Sequence, residues 1–267
     1  MGTACSADDG WQVADGVATR QVTVKARGTD LVDVDLFAPA QSVATTGQLA
    51  HQLLPGLVLC PGGLVDPDQY AWLARRLALR GFAVAIPHFP NNLGFFAQDN
   101  AQVALRLLVK GSTVESVAPL AAATRVAVAG HSLGAVVAAA VATDGGFAAL
   151  ALLAGYPADG DAVEGLQLPA IAVAGTADCS APVATVHSGW KRLPKGAWLA
   201  TVTGLSHYGF TDSLTPDNQS GCPPQLTLVE GHDRIGAVLE QFLLRSLVDP
   251  SLPLPTSISS VAWEVQP

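Results

Sequence analysis

Gly130-His131-Ser132-Leu133-Gly134 follows an apolar, β-branched run at 125–129 and opens an alanine-rich run at 135–142. A strand, then Gly-x-Ser-x-Gly, then a helix is the context in which this pentapeptide forms a nucleophile elbow. The serine must sit on a very sharp turn, with its hydroxyl projecting outward above a helix N-terminus. Side chains two residues to either side would collide there, so glycines occupy those positions. The bland alternative is a glycine-rich strand-to-helix turn whose serine merely caps the helix. The remainder of the chain separates the two readings.

Outward from the elbow, apolar runs at 57–60, 82–86, 148–153, 170–174 and 198–202 read as buried strands. Helical spacing runs through 66–80, where Gly81 stops it, and through 97–109, 132–142, 181–192 and 229–247. Alternation at 21–25 and 31–37 suggests a hairpin at the sheet edge within an N-terminal segment, 1–50. Strands alternating with helices imply an α/β fold with a central, mostly parallel sheet and helices on both faces. Right-handed crossovers then put every strand-to-helix loop at the carboxyl edge, where such sheets bind ligands. A single domain over 1–267 is expected. Its Pro- and Ser-rich tail, 249–267, should pack loosely on the surface.

A serine hydroxyl needs a base, and the base needs an orienting carboxylate. Asp178 follows the strand at 170–174 in Gly175-Thr176-Ala177-Asp178, and His207 follows the strand at 198–202 in Gly204-Leu205-Ser206-His207. Three carboxyl-edge loops thus offer Ser132, Asp178 and His207 in the chain order this chemistry requires. Asp159, Asp161 and Glu164 remain as rival acids, and His232, at the start of a helix, reads as a solvated polar residue. An oxyanion hole would draw one amide from Leu133, just after the nucleophile. The second would come from Pro61-Gly62-Gly63-Leu64, where glycine lets an amide turn into the pocket. A pocket wall could include Leu64, His88, Phe89, Phe95, Phe96, His131, Tyr156, Tyr208 and Phe210, with about half of the aromatics facing the core instead.

The 267 residues are 49% apolar and only 13% charged, enough for a large core and too apolar for wholesale disorder. A net charge of −8 argues against nucleic acid or an anionic membrane as partner. No apolar run reaches the roughly 20 residues of a membrane span without interruption. Met1-Gly2-Thr3-Ala4-Cys5-Ser6 loosely fits an acylation pattern and has no basic-then-apolar leader, which favours a cytoplasmic protein. A bridge between Cys179, beside the proposed acid, and Cys222 would instead imply an oxidising compartment and a secreted mature form. Spacing does not supply the Cα distance such a bridge needs.

With these motifs in hand, the chain resembles the α/β-hydrolase superfamily over residues 57–247, in its compact bacterial, cap-less serine-esterase type. The resemblance is carried by Pro61-Gly62-Gly63, Ala71-Trp72-Leu73, Arg76-Leu77-Ala78, Gly81-Phe82, the elbow, Gly175-Thr176-Ala177-Asp178 and Ser206-His207. Some similarity extends to dienelactone-hydrolase-like and cutinase-like polyester hydrolases, although Gly63 stands where the polyesterases carry an aromatic, and Tyr156 is placed to replace the aromatic they carry after the next strand. The resemblance implies Ser132 as nucleophile, His207 as base, Asp178 as acid and the amides of Gly63 and Leu133 as the oxyanion hole. It implies a small-molecule ester substrate and neither metal nor cofactor. Thioesterase, lipase, polyesterase, peptidase or acyltransferase chemistry, or a catalytically silent binding scaffold, stay open, as does the oligomeric state. The connection at 156–168 is too short for a cap of several helices, so an open site is expected.

Overall fold

A computed structural model describes residues 11–25, 30–43, 54–110, 123–213, 222–253 and 257–267. The described residues contain one ten-stranded sheet. In chain order its strands are β1 (Gln12–Ala14), β2 (Val17–Lys25), β3 (Leu31–Pro39), β4 (Leu54–Cys60), β5 (Ala83–Pro87), β6 (Ala123–His131), β7 (Ala149–Leu153), β8 (Ala170–Gly175), β9 (Trp198–Val202) and β10 (Val261–Val265). Their spatial order is β1-β2-β3-β5-β4-β6-β7-β8-β9-β10. From β5 across to β9 every pairing is parallel, and the edges are antiparallel. β4, β5, β7 and β8 are largely apolar runs because both of their faces are covered.

The helices are α1 (Ala71–Leu79), α2 (Asp99–Lys110), α3 (Leu133–Thr143), α4 (Val183–Trp190) and α5 (Leu228–Leu243). The path from β4 to β5 steps one way across the sheet. Those from β5 to β6, β6 to β7 and β8 to β9 step the other way. Right-handed crossovers therefore place α1 on one face and α2, α3 and α4 on the other. α5 packs against α1 and shares its face. The reversal of winding falls at β4 and β6, neighbours in the sheet, so the loops leaving their carboxyl ends flank a crevice. The elbow and the Pro61–Leu64 loop are those two loops. The connection between β7 and β8 holds a single 3₁₀ turn, Val163–Gly165, and no cap helix.

Two expectations at the termini change. The tail does not simply lie on the surface: β10 joins the sheet, pairing Val261 to Val202 through Val265 to Trp198. The alternation Val261, Trp263, Val265 is a strand pattern that the Pro- and Ser-rich composition before it outweighed. The N-terminal hairpin forms as β2 and β3, but it carries a third short strand, β1, and docks through β3 onto β5. The acylation pattern at 1–6, with Cys5, lies outside the described residues. Among the described residues no helix is long and apolar enough to cross a membrane.

Candidate active site

Ser132 stands between β6 and α3 with φ +53° and ψ −119°, a backbone region a non-glycine residue occupies only under constraint. The constraint is visible. The Ser132 amide donates to the Leu153 carbonyl at 2.9 Å, and the Ser132 carbonyl accepts from the Ala135 amide at 2.9 Å. A Cβ on Gly130 would run into the carbonyl of Gly134, and one on Gly134 would run into the carbonyls of Cys60 and Pro61. Both glycines are thus dictated by close packing of the elbow on itself and on the end of β4. Among the described residues, non-glycine positive φ recurs at Leu64, Asn91, Asn92 and Ala154 in the neighbouring strand exits. Backbone strain concentrates at the carboxyl edge, where functional sites hold it.

Ser132 Oγ lies 2.9 Å from His207 Nε2, and His207 Nδ1 lies 2.8 Å from Asp178 Oδ2. Asp178 and His207 are both buried. The other oxygen of Asp178 accepts from the amides of Ser180 at 2.8 Å and Ala181 at 2.7 Å, so the carboxylate is clamped before it meets the histidine. The loops carrying acid and base are laced together. The Ala177 amide donates to the Leu205 carbonyl at 3.0 Å, the Gly204 amide donates to Thr176 Oγ1 at 2.8 Å, and a Cβ on Gly175 would strike the Leu205 carbonyl. Cys179 and Cys222 form a disulfide across a Cα separation of 6.0 Å, tying the acid loop to the segment that enters α5.

The Pro61–Leu64 loop presents one spare amide. Gly62 N–H donates to the Tyr70 hydroxyl at 2.8 Å, Leu64 N–H to the Asn92 carbonyl at 2.8 Å, and Val65 N–H to the Gly62 carbonyl at 3.3 Å. The Gly63 N–H has no partner among the described residues, nor does that of Leu133 at the start of α3. The two residues touch: a Cβ on Gly63 would stand 2.9 Å from Leu133 Cδ2. The two residues with spare amides are therefore neighbours, and Leu133, next to Ser132 in sequence, starts a helix.

The wall residues sort differently from expectation. His131 is not a pocket residue: it is fully buried, with Nδ1 2.8 Å from the Tyr70 hydroxyl and Nε2 3.1 Å from the His207 carbonyl. Burial and the nearby His207 push its pKa well below that of a free histidine, while burial pushes the Tyr70 phenol up. Phe89 and Phe210 are buried in the core, Phe210 stacked on His131. Phe95 and Phe96 pack edge to face and line a cleft with Leu31 and Pro90. His88 is bound to Asp35 at 2.8 Å, which raises its pKa. Tyr208 meets the His207 ring edge-on, and Leu64 (77% exposed) and Tyr156 (38%) are open to solvent. The rival acids are occupied or remote, Asp159 by Arg192 and Asp161 by the Ala158 amide. His232 is not simply solvated. It stacks on Trp72 and its Nε2 donates to the Thr211 carbonyl, so it braces the segment after His207. Sequence reading missed Tyr70, which falls within the helical spacing read at 66–80 and sits in a 3₁₀ turn, Pro67–Tyr70, just before α1. A buried hydroxyl has no signature in helical spacing.

Fold and site together define a hydrolase of α/β architecture. The model of the alpha/beta hydrolase family matches residues 56–220, from β4 past His207, and the chain belongs to that family. No curated protein matches the sequence.

Proposed function

We propose that the protein is a serine carboxylic ester hydrolase working through an acyl-enzyme. The observation that carries this reading is the continuous line Ser132 Oγ, His207 Nε2, His207 Nδ1, Asp178 Oδ2, with links of 2.9 and 2.8 Å, on a strained elbow. In the first half-reaction His207 takes the hydroxyl proton as Ser132 attacks the ester carbonyl. Asp178 holds the imidazole with its proton on Nδ1, leaving the Nε2 lone pair toward the serine, and stabilises the imidazolium that forms. The amides of Gly63 and Leu133 receive the developing oxyanion, a contribution that mutagenesis elsewhere puts at about 10²–10³ in rate per donor. His207 then gives its proton to the departing alcohol. Water repeats the sequence on the acyl-serine and releases the acid.

The absence of a cap between β7 and β8 favours an accessible ester over a deeply enclosed substrate. Leu64, Tyr156 and Tyr208 are the side chains best placed to meet it. The buried thiol of Cys60, its pKa pushed up to about 12 by desolvation, is too poor a thiolate source to act as nucleophile in place of the serine. The test is hydrolysis of p-nitrophenyl esters of rising acyl length, with fluorophosphonate labelling of wild type and Ser132→Ala. Turnover and labelling should both vanish in the variant, with a loss of about 10⁶ in kcat. Ester hydrolysis retained by Ser132→Ala would overturn the assignment.

A further inference from the structure

Four loops supply the site, and one buried hydrogen-bond chain runs through three of them, those carrying Gly62, Ser132 and His207. It starts at the Gly62 N–H, next to the spare amide of Gly63, and passes through the Tyr70 hydroxyl. From there it crosses the ring of His131, the residue before Ser132, and ends on the carbonyl of His207. Its direction is fixed by its ends. A peptide N–H can only donate and a carbonyl can only accept, so Gly62 donates to Tyr70, Tyr70 donates to His131 Nδ1, and His131 Nε2–H donates to His207. Tyr70 and His131 are both 0% exposed, so water cannot substitute for any member. A Cβ on Gly62 would stand 2.9 Å from both the Tyr70 hydroxyl and His131 Nδ1, so glycine there admits the pair.

We infer that Tyr70 and His131 are positioning residues that set the oxyanion amide, the nucleophile and the base in register with one another. This rests on the esterase reading of the same site. Neither side chain touches Ser132 Oγ or takes part in proton transfer; each acts through the loop it holds. Displacing a reacting group by about 1 Å costs on the order of 10²-fold in rate. Loss of the chain should therefore appear in turnover and not in substrate affinity.

The experiment compares Tyr70→Phe, His131→Phe and the double variant, with kcat expressed per serine titrated by fluorophosphonate so that misfolded protein does not count. Each variant should lose about 10- to 100-fold in kcat, with KM held within about threefold. The double variant should lose no more than either single one, because a chain is broken by removing any link. A parallel readout needs no turnover: the far-downfield NMR signal of the His207 Nδ1 proton, shared with Asp178, should shift in Tyr70→Phe. Wild-type kcat per titrated serine in folded Tyr70→Phe, or losses that simply add in the double variant, would overturn the inference. If the wild-type protein neither hydrolyses esters nor labels at Ser132, the esterase reading fails. The downfield proton then decides the positioning role alone, and an unmoved signal in Tyr70→Phe refutes it. Should Tyr70→Phe not fold, His131→Phe carries the same comparison, since it keeps a ring against Phe210.

Discussion

Asp178→Asn should separate catalysis from stability. In the native site Oδ1 accepts two backbone amides, from Ser180 and Ala181, and Oδ2 faces His207 Nδ1 at 2.8 Å. An asparagine can keep both amide bonds only by placing its oxygen at the Oδ1 position, which turns its NH₂ toward His207. That group donates, so His207 Nδ1 must become the acceptor and the ring proton moves to Nε2. Nε2 then meets Ser132 Oγ with a proton instead of a lone pair and cannot act as base. A wrong-tautomer triad loses about 10⁴ in kcat, equivalent to a barrier higher by about 5.5 kcal/mol. Every hydrogen bond of the side chain survives, so unfolding should move by less than about 1 kcal/mol. Asp178→Ala makes the contrast: it abandons two amides in a buried site and should cost stability as well, about 1–3 kcal/mol for each amide left unpaired. The assay pairs ester hydrolysis per folded molecule with urea denaturation of both variants. Asp178→Asn retaining activity within tenfold of wild type, or unfolding as readily as Asp178→Ala, would refute the reasoning.

Gly134→Ala places a methyl group against the carbonyls of Cys60 and Pro61, backbone that cannot rotate away; the expected loss is about 3 kcal/mol or more by chemical denaturation. Cys222→Ser opens a loop closed across 43 residues, and chain entropy sets the loss near 4 kcal/mol, read as a lower denaturation midpoint. His88, paired with Asp35, has a raised folded pKa, so its stabilisation is fully present below the unfolded value and fades as pH rises through the folded one. His88→Gln should therefore lower stability at about pH 5 and leave it nearly unchanged at about pH 9, with a difference of about 1 kcal/mol for this half-buried pair.

The elbow, the order Ser132, Asp178, His207 and the alternation of strands and helices were legible because each is a local matter. A sharp turn needs its glycines, a buried parallel strand needs its apolar run, and a right-handed crossover sends each loop to the same edge. β10 was harder to read, since its short alternation is only a strand where β9 offers an open edge to pair with. The wall residues were harder still. Phe95 and Phe210 look alike in sequence, yet one is half exposed and the other lies in the core.

By itself, then, the sequence picked out a candidate serine, acid and histidine and the side of the sheet on which they would stand. Only the tertiary structure decided which of several acids reached His207, that Cys179 meets Cys222, and that Gly63 and Leu133 hold the spare amides. It alone turned Tyr70, one position in a stretch of helical spacing, and His131, a pocket candidate, into a buried pair joined across 61 residues of sequence. The reason is range. Turns and strands are specified by neighbours a few residues away, whereas hydrogen-bond partners between loops depend on packing that brings distant segments within 3 Å or so of each other.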